Sequence, residues 1–146
     1  MSTKPTKAAG PVAWQTFLDV LHTCKPHMNK STAPFGLTPQ LAYALEIIAR
    51  HESATMRVLA DDLSCDASNA TGVADRLERR GLIERVADSG DRRVRRVQMT
   101  AAGRKLWDEL HVALRIPPPV LAGLTADDQR ALTAILRRAL DAYEKD

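Results

Sequence analysis

The apolar pattern of this 146-residue chain switches from helical to strand-like period at Gly81. Before it, Ala70, Val73, Ala74 and Leu77 recur at intervals of three and four, the stripe of one helix face. Asp66 has the chemistry of an N-cap for a helix over 67–80, and Gly81 that of its stop. After Gly81 come two short stretches rich in β-branched residues, Leu82 to Ala87 and Val94 to Met99, and in the second Val97 and Met99 alternate with Arg96 and Gln98. The connector between them, DSGDRR, is turn-forming and charged. The chain therefore predicts a β-hairpin with a charged tip inside an otherwise helical fold.

Helical periodicity fills the rest. Trp14, Phe17, Leu18, Leu21, Cys24 and Met28 mark one face of a first helix over 12–28, which Pro26 is expected to end or kink. Residues 1–11 read as a flexible tail and 29–37 as a loop. Thr38 followed by Pro39 starts a second helix with Leu41, Leu45 and Ile48 inside. Residues 51–54 read as a connection, and Thr55 caps a short helix that turns Met56, Leu59, Ala60 and Leu63 inward. Thr100 caps a helix with Leu106, Leu110 and Leu114 on one face, and the prolines of 116–124 interrupt it. Thr125, with Asp127 and Asp128 in the first turn, opens the last helix, whose stripe is Leu132, Ile135, Leu136, Ala139, Leu140 and Tyr143.

Composition excludes more than it proves. Aromatic residues are 4%, so the core is aliphatic; no apolar run is long enough to span a bilayer, and MSTKPTKAAG lacks an apolar signal core. Two cysteines make no disulfide framework, and the cytoplasm is the expected location. The net charge of +3 hides a segregation. Residues 76–105 hold nine Arg and one Lys against four acids, whereas residues 38–75 hold two Arg against six acids. An arginine-rich zone on a helix and a hairpin fits nucleic acid.

A short helix and a capped one joined by a tight turn at Ser64 and Cys65 form a helix-turn-helix, and the following hairpin makes it winged. On the polar face of 67–80, Ser68, Asn69 and Thr71 can approach base edges in a major groove, and Arg76 and Arg79 phosphates or guanines. The hairpin offers Arg92 and Arg93 at its tip, with Arg95 and Arg96 on the returning strand, to a minor groove. Asp91 is expected to pair with an arginine and fix its direction.

The run LADDLSCDASNATGVADRLERRGLIERVADSGDRRVRRVQMTAAGRKL, residues 59–106, resembles the MarR-type winged-helix transcriptional regulators. DRLERRGLIER at 75–85 and DRRVRRVQMTAAG at 91–103, in this order and spacing, are its specific pieces. The resemblance implies a homodimeric regulator, with 67–80 as recognition helix and 88–95 as wing. Ser68, Asn69, Thr71 and Arg76 fall at its DNA-reading positions, and Asp91 and Arg93 at its acid–arginine wing positions. Gly72 stands where many relatives carry a larger polar residue, and the prolines at 117–119 break a helix that relatives often keep longer.

The expected organisation is a mainly α chain: a winged helix-turn-helix at 38–99, flanked by dimerisation helices at 12–30 and 100–146. Its partners are double-stranded DNA and a second copy, bound on a near-palindromic operator and released by a small molecule. An aromatic effector would find Trp14, Phe17, His22, Met28 and Tyr43 as candidate pocket residues. No cofactor is expected. His22, Cys24 and His27 are metal-capable types, but residues 22 and 24 of a helix point apart. The competing readings are a thiol- or metal-responsive regulator using Cys24, and a small enzyme with a Cys/His site. No Gly-rich phosphate loop, paired carboxylates or metal signature accompanies the latter.

Overall fold

A computed structural model describes residues 9–143. In chain order it contains α1 (Ala9–Thr32), a 3-10 turn (Ala33–Phe35), α2 (Pro39–His51), β1 (Ser53–Thr55), α3 (Met56–Asp62), α4 (Ala67–Arg79), β2 (Ile83–Ala87), β3 (Arg95–Met99), α5 (Ala101–Leu114), α6 (Pro119–Ala122) and α7 (Ala126–Tyr143). The local signals explain most of the starts. The hydroxyls of Thr38, Thr55 and Thr100 accept the amides of Leu41, Val58 and Gly103, and the Asp66 carboxylate accepts that of Asn69 at 2.7 Å. Each cap satisfies an amide that the first helical turn leaves without a partner.

Contacts divide the chain into two compact units: His27–Ile116, and the residues up to Pro26 together with those from Pro117 onward. The first unit holds the core. Leu41, Leu45, Ile47 and Ile48 of α2 pack with Leu59, Val73, Leu77, Ile83, Val97 and Leu110. Burying each such side chain contributes about 1.5–3 kcal/mol relative to exposure. Its sheet is antiparallel in the order β1-β3-β2. Val97 lies at its centre, opposite Ala54 on one side and Arg85 on the other.

Several expectations need correction. The tail expected at 1–11 falls partly outside the described residues, and from Ala9 the chain is helical. Helix α1 passes through Pro26 and runs to Thr32, into the expected loop. A proline inside a helix costs about 3 kcal/mol, but anchors hold the turns beyond it. Thr32 is fully buried with its hydroxyl on the Met28 and Asn29 carbonyls, and the His27 ring lies 3.0 Å from the Ile116 carbonyl. Residues 53–55 form an edge strand rather than a plain connection, because β3 offers its free side to them. Finally, α5 belongs to the winged-helix unit, since Leu110 is buried in that core and Leu106, Trp107 and Leu114 pack against it.

The second unit is different. Among its described residues no hydrophobic side chain is buried. Trp14 and Phe17 stack with ring centroids 6.1 Å apart, and Phe17, Leu136, Ala139 and Leu140 line an apolar hollow. Ile135, Leu140 and Tyr143 stand more than half exposed.

Candidate nucleic-acid interface

Helix α4 buries Ala70, Val73, Ala74 and Leu77 and leaves Ser68, Asn69, Thr71, Arg76 and Arg79 exposed. It follows α3 through a turn in which Ser64 takes a left-handed φ of 50°, with the Ser64 and Cys65 amides bonded back to Asp61 and Ala60. That turn sets α4 at an angle to α3 without a glycine. The Thr71 hydroxyl donates to the Ala67 carbonyl at 2.8 Å, which fixes its rotamer and leaves its lone pairs outward. Arg79 Nε donates to the Asp75 carbonyl at 3.3 Å.

The hairpin tip is a chain of carboxylate-capped turns. Asp88 accepts the amides of Gly90 at 2.9 Å and Asp91 at 3.2 Å. These bonds, with the nearby Arg96 guanidinium, hold its carboxyl below the ordinary aspartate range. Asp91 does not pair with a guanidinium: its side chain accepts the backbone amide of Arg93 at 2.9 Å. It therefore orients Arg93 through the main chain and leaves the guanidinium unengaged. Arg92, Arg93 and Arg95 are exposed. Among the described residues neither they nor Arg76 and Arg79 make an ion pair.

Three other arginines of the same basic zone are committed to the scaffold. Arg85 on β2 pairs with Asp75 at 2.6 Å and with Glu78, so it ties the wing to α4. The hydrogen bond to Asp75, ahead of the Glu78 charge, holds its proton above the ordinary guanidinium value. Arg96 bonds Ser53 on β1 at 2.9 Å and pairs with Asp88 at 3.3 Å. Arg80, just past α4, donates to the carbonyls of Phe35 at 2.8 Å and Gly36. Sequence reasoning missed the roles of Arg80 and Arg85, whose partners are remote in sequence and leave no local pattern.

The candidate effector residues are divided between the two units. Met28 and Tyr43 belong to that unit, and neither lines its cavity of about 450 Å³; Tyr43 points outward from α2. Pro34, Phe35, Ala113 and Ile116 wall that cavity, with His27, Lys30 and Ser31 as its polar groups. Trp14, Phe17 and His22 lie on the exposed part of α1. Cys24 and Cys65 are half-buried free thiols, and among the described residues no group of three His, Cys, Asp or Glu could hold a metal ion. No helix of the described residues is long and apolar enough to cross a membrane.

A capped helix pair, a second helix with a polar outer face, and a three-stranded sheet ending in an arginine-bearing loop define a winged helix-turn-helix. The MarR family model matches residues 37–94. The chain is 31% identical to the transcriptional repressor MprA of Escherichia coli over 81% of its own length and 70% of that protein's. It is 28% identical to the HTH-type transcriptional repressor MdtR of Bacillus subtilis, over 84% and 79% of the two chains. A mutant MarR from E. coli, solved in complex with operator DNA, shares its fold with a TM-score of 0.73 at 22% identity, covering 94% of this chain and 99% of that one. The chain belongs to the MarR family, whose members are transcriptional regulators rather than enzymes.

Proposed function

We propose that the chain is a transcriptional repressor that binds double-stranded DNA as a homodimer on a near-palindromic operator in the cytoplasm and is released by a small molecule. The observation that carries this reading is the set of guanidiniums without an ion pair among the described residues, Arg76, Arg79, Arg92, Arg93 and Arg95, on the outer face of α4 and on the wing. Ser68, Asn69 and Thr71 at the start of α4 would read base edges, and the arginines would contact phosphates and the minor groove. The exposed apolar faces of α1 and α7 support the dimer, because a second copy can bury what this chain leaves open. Two copies would then present two recognition helices to half-sites about 34 Å apart. The cavity beside Lys30 and Phe35, rather than the outward aromatic residues of α1 and α2, is where a small effector with an apolar body would be held.

The test is selection of bound duplexes from random sequence at defined salt. A preferred site with two-fold symmetry is expected. Arg93→Ala should weaken binding to all sequences and flatten the salt dependence by about two units of log K per log salt for a dimer. Asn69→Ala should instead change the preferred bases. Binding with no preference over random duplex would overturn the reading.

A further inference from the structure

Phe35 serves two structures at once. Its side chain walls the cavity that Lys30 and Ala113 also line, and its carbonyl accepts Arg80 Nη2 at 2.8 Å. The next carbonyl, of Gly36, accepts the other guanidinium nitrogen. Gly36 is left-handed, and a Cβ there would lie 3.2 Å from Arg80 Nη2, so only glycine lets the guanidinium close on both carbonyls without strain. Arg80 in turn is the residue on which α4 ends. The 3-10 turn at residues 33–35 thus has the cavity on its side-chain face and the end of the recognition helix on its carbonyls.

That turn is also held lightly where it meets the cavity. Pro34 has no amide to donate, and Phe35 is only half-buried. The bonds that fix the stretch are Gly36 to the Ala33 carbonyl, Leu37 to the Thr32 carbonyl, and the two from Arg80. Phe35 and Ala113 line the same cavity of about 450 Å³, so a group that outgrows the free space beside them presses on the Phe35 ring and, through it, on the backbone of the turn. A guanidinium fork bonded to adjacent carbonyls has little tolerance for such a shift, since both bonds depend on one planar geometry.

We propose that Arg80 is a positioning residue that couples occupancy of this cavity to the placement of α4, and hence to DNA affinity. The proposal rests on the DNA-binding reading above, and it names the route by which a bound molecule would act on it. Filling the cavity moves Phe35 and Gly36, the Arg80 fork loses its acceptors, and the C-terminal turn of α4 is freed.

The cavity can be filled without a ligand. Ala113→Phe places a ring in it, and Ile116→Phe fills it from another wall should the first variant fail to fold. Each is made alone, with Arg80→Met and with Arg80→Lys, and two quantities are measured: hydrogen exchange of the amides at 67–80, and affinity for the selected duplex. With Arg80 in place, filling should speed exchange in the last turn of α4 and weaken DNA binding about tenfold. In the Arg80→Met background, itself weakened, filling should add less than about a twofold change. Arg80→Lys, which keeps a donor, should restore part of the response. Equal effects of filling with and without the guanidinium would overturn the proposal, as would a folded, filled variant with unchanged exchange. If the exchange response is present while wild-type protein binds no preferred duplex, the coupling stands and the DNA-binding reading fails.

Discussion

Replacing Gly103 by alanine tests the closest backbone approach made to any glycine of the chain's described residues. Gly103 lies in the first turn of α5, where intrinsic propensity favours alanine by about 1 kcal/mol. The surroundings oppose it. A Cβ at Gly103 would stand 1.8 Å from the Leu82 carbonyl oxygen and 2.8 Å from its carbon, against 3.4 Å for ordinary contact. The obstacle is backbone and cannot swing aside. The same carbonyl accepts the Thr100 amide at 3.1 Å, and the Thr100 hydroxyl donates to Gly81 at 2.6 Å while accepting the Gly103 amide. Making room therefore separates α5 from the Leu82 strand entry and loosens the cap. Overpacking of this kind costs about 1–3 kcal/mol, and a weakened hydrogen bond about 1 kcal/mol more. Set against the propensity gain, Gly103→Ala should destabilise by about 2 kcal/mol. Gly72→Ala is the control: it is also helical, but nothing lies within 4 Å of its added Cβ. It should stabilise by about 0.5–1 kcal/mol. Urea unfolding followed by circular dichroism reads both, at one protein concentration because association would shift the apparent stability. A Gly103→Ala protein as stable as the Gly72→Ala protein would refute the contact.

Other outcomes follow from the same packing. Leu77→Ala removes a fully buried side chain from the inner face of α4 and should cost about 2–5 kcal/mol in urea unfolding. Arg85→Met removes the tie between β2 and the acids of α4; its partners are partly solvated, so stability should fall by only about 1 kcal/mol, with a measurable loss of duplex affinity. Asp88 has a lowered folded-state pKa, so its charged form stabilises the wing above the ordinary aspartate value, and that contribution drains away as pH falls through the lower folded value. The stability difference between wild type and Asp88→Asn should therefore be level from pH 7 down to about 5 and shrink below about 4; a difference that grows on acidification would contradict the hydrogen bonds assigned to this carboxylate.

Where a structural cause acts within a few residues, the sequence already carries it. Thr38, Thr55, Asp66 and Thr100 cap the helices that their own chemistry predicts, because donor and acceptor lie three residues apart. The change of period at Gly81 likewise marks the end of α4 and the start of the hairpin. Causes that act at a distance were not legible. Ser53–Thr55 became a strand because Val97 and its neighbours, more than forty residues on, present a free edge. Beyond Pro26, helix α1 is anchored by the His27 ring at the Ile116 carbonyl, far along the chain, and by the burial of Thr32. The cavity near Phe35 draws its walls from the two ends of the winged-helix unit, so an aromatic stripe on α1 could not reveal it.

The basic zone shows the same limit most sharply. Its arginines look alike in sequence, yet they answer to two opposed physical demands. A guanidinium that ties elements together must give up its rotamer freedom on folding, and only several well-placed acceptors offset that loss. Arg85, with Asp75 and Glu78, and Arg80, with two carbonyls, meet this condition through partners 7 to 45 residues away. A guanidinium meant for phosphate must stay hydrated and unpaired until the polyanion replaces its counterions. Asp91 meets this second demand by bonding the Arg93 backbone and sparing its side chain. The two sets should separate in experiment even though each variant removes one positive charge. Loss of Arg80 or Arg85 should change stability and DNA affinity together, whereas loss of Arg92, Arg93 or Arg95 should lower affinity and its salt dependence while leaving unfolding unchanged. Net charge counts both sets equally, and on the proposed reading only the second meets DNA.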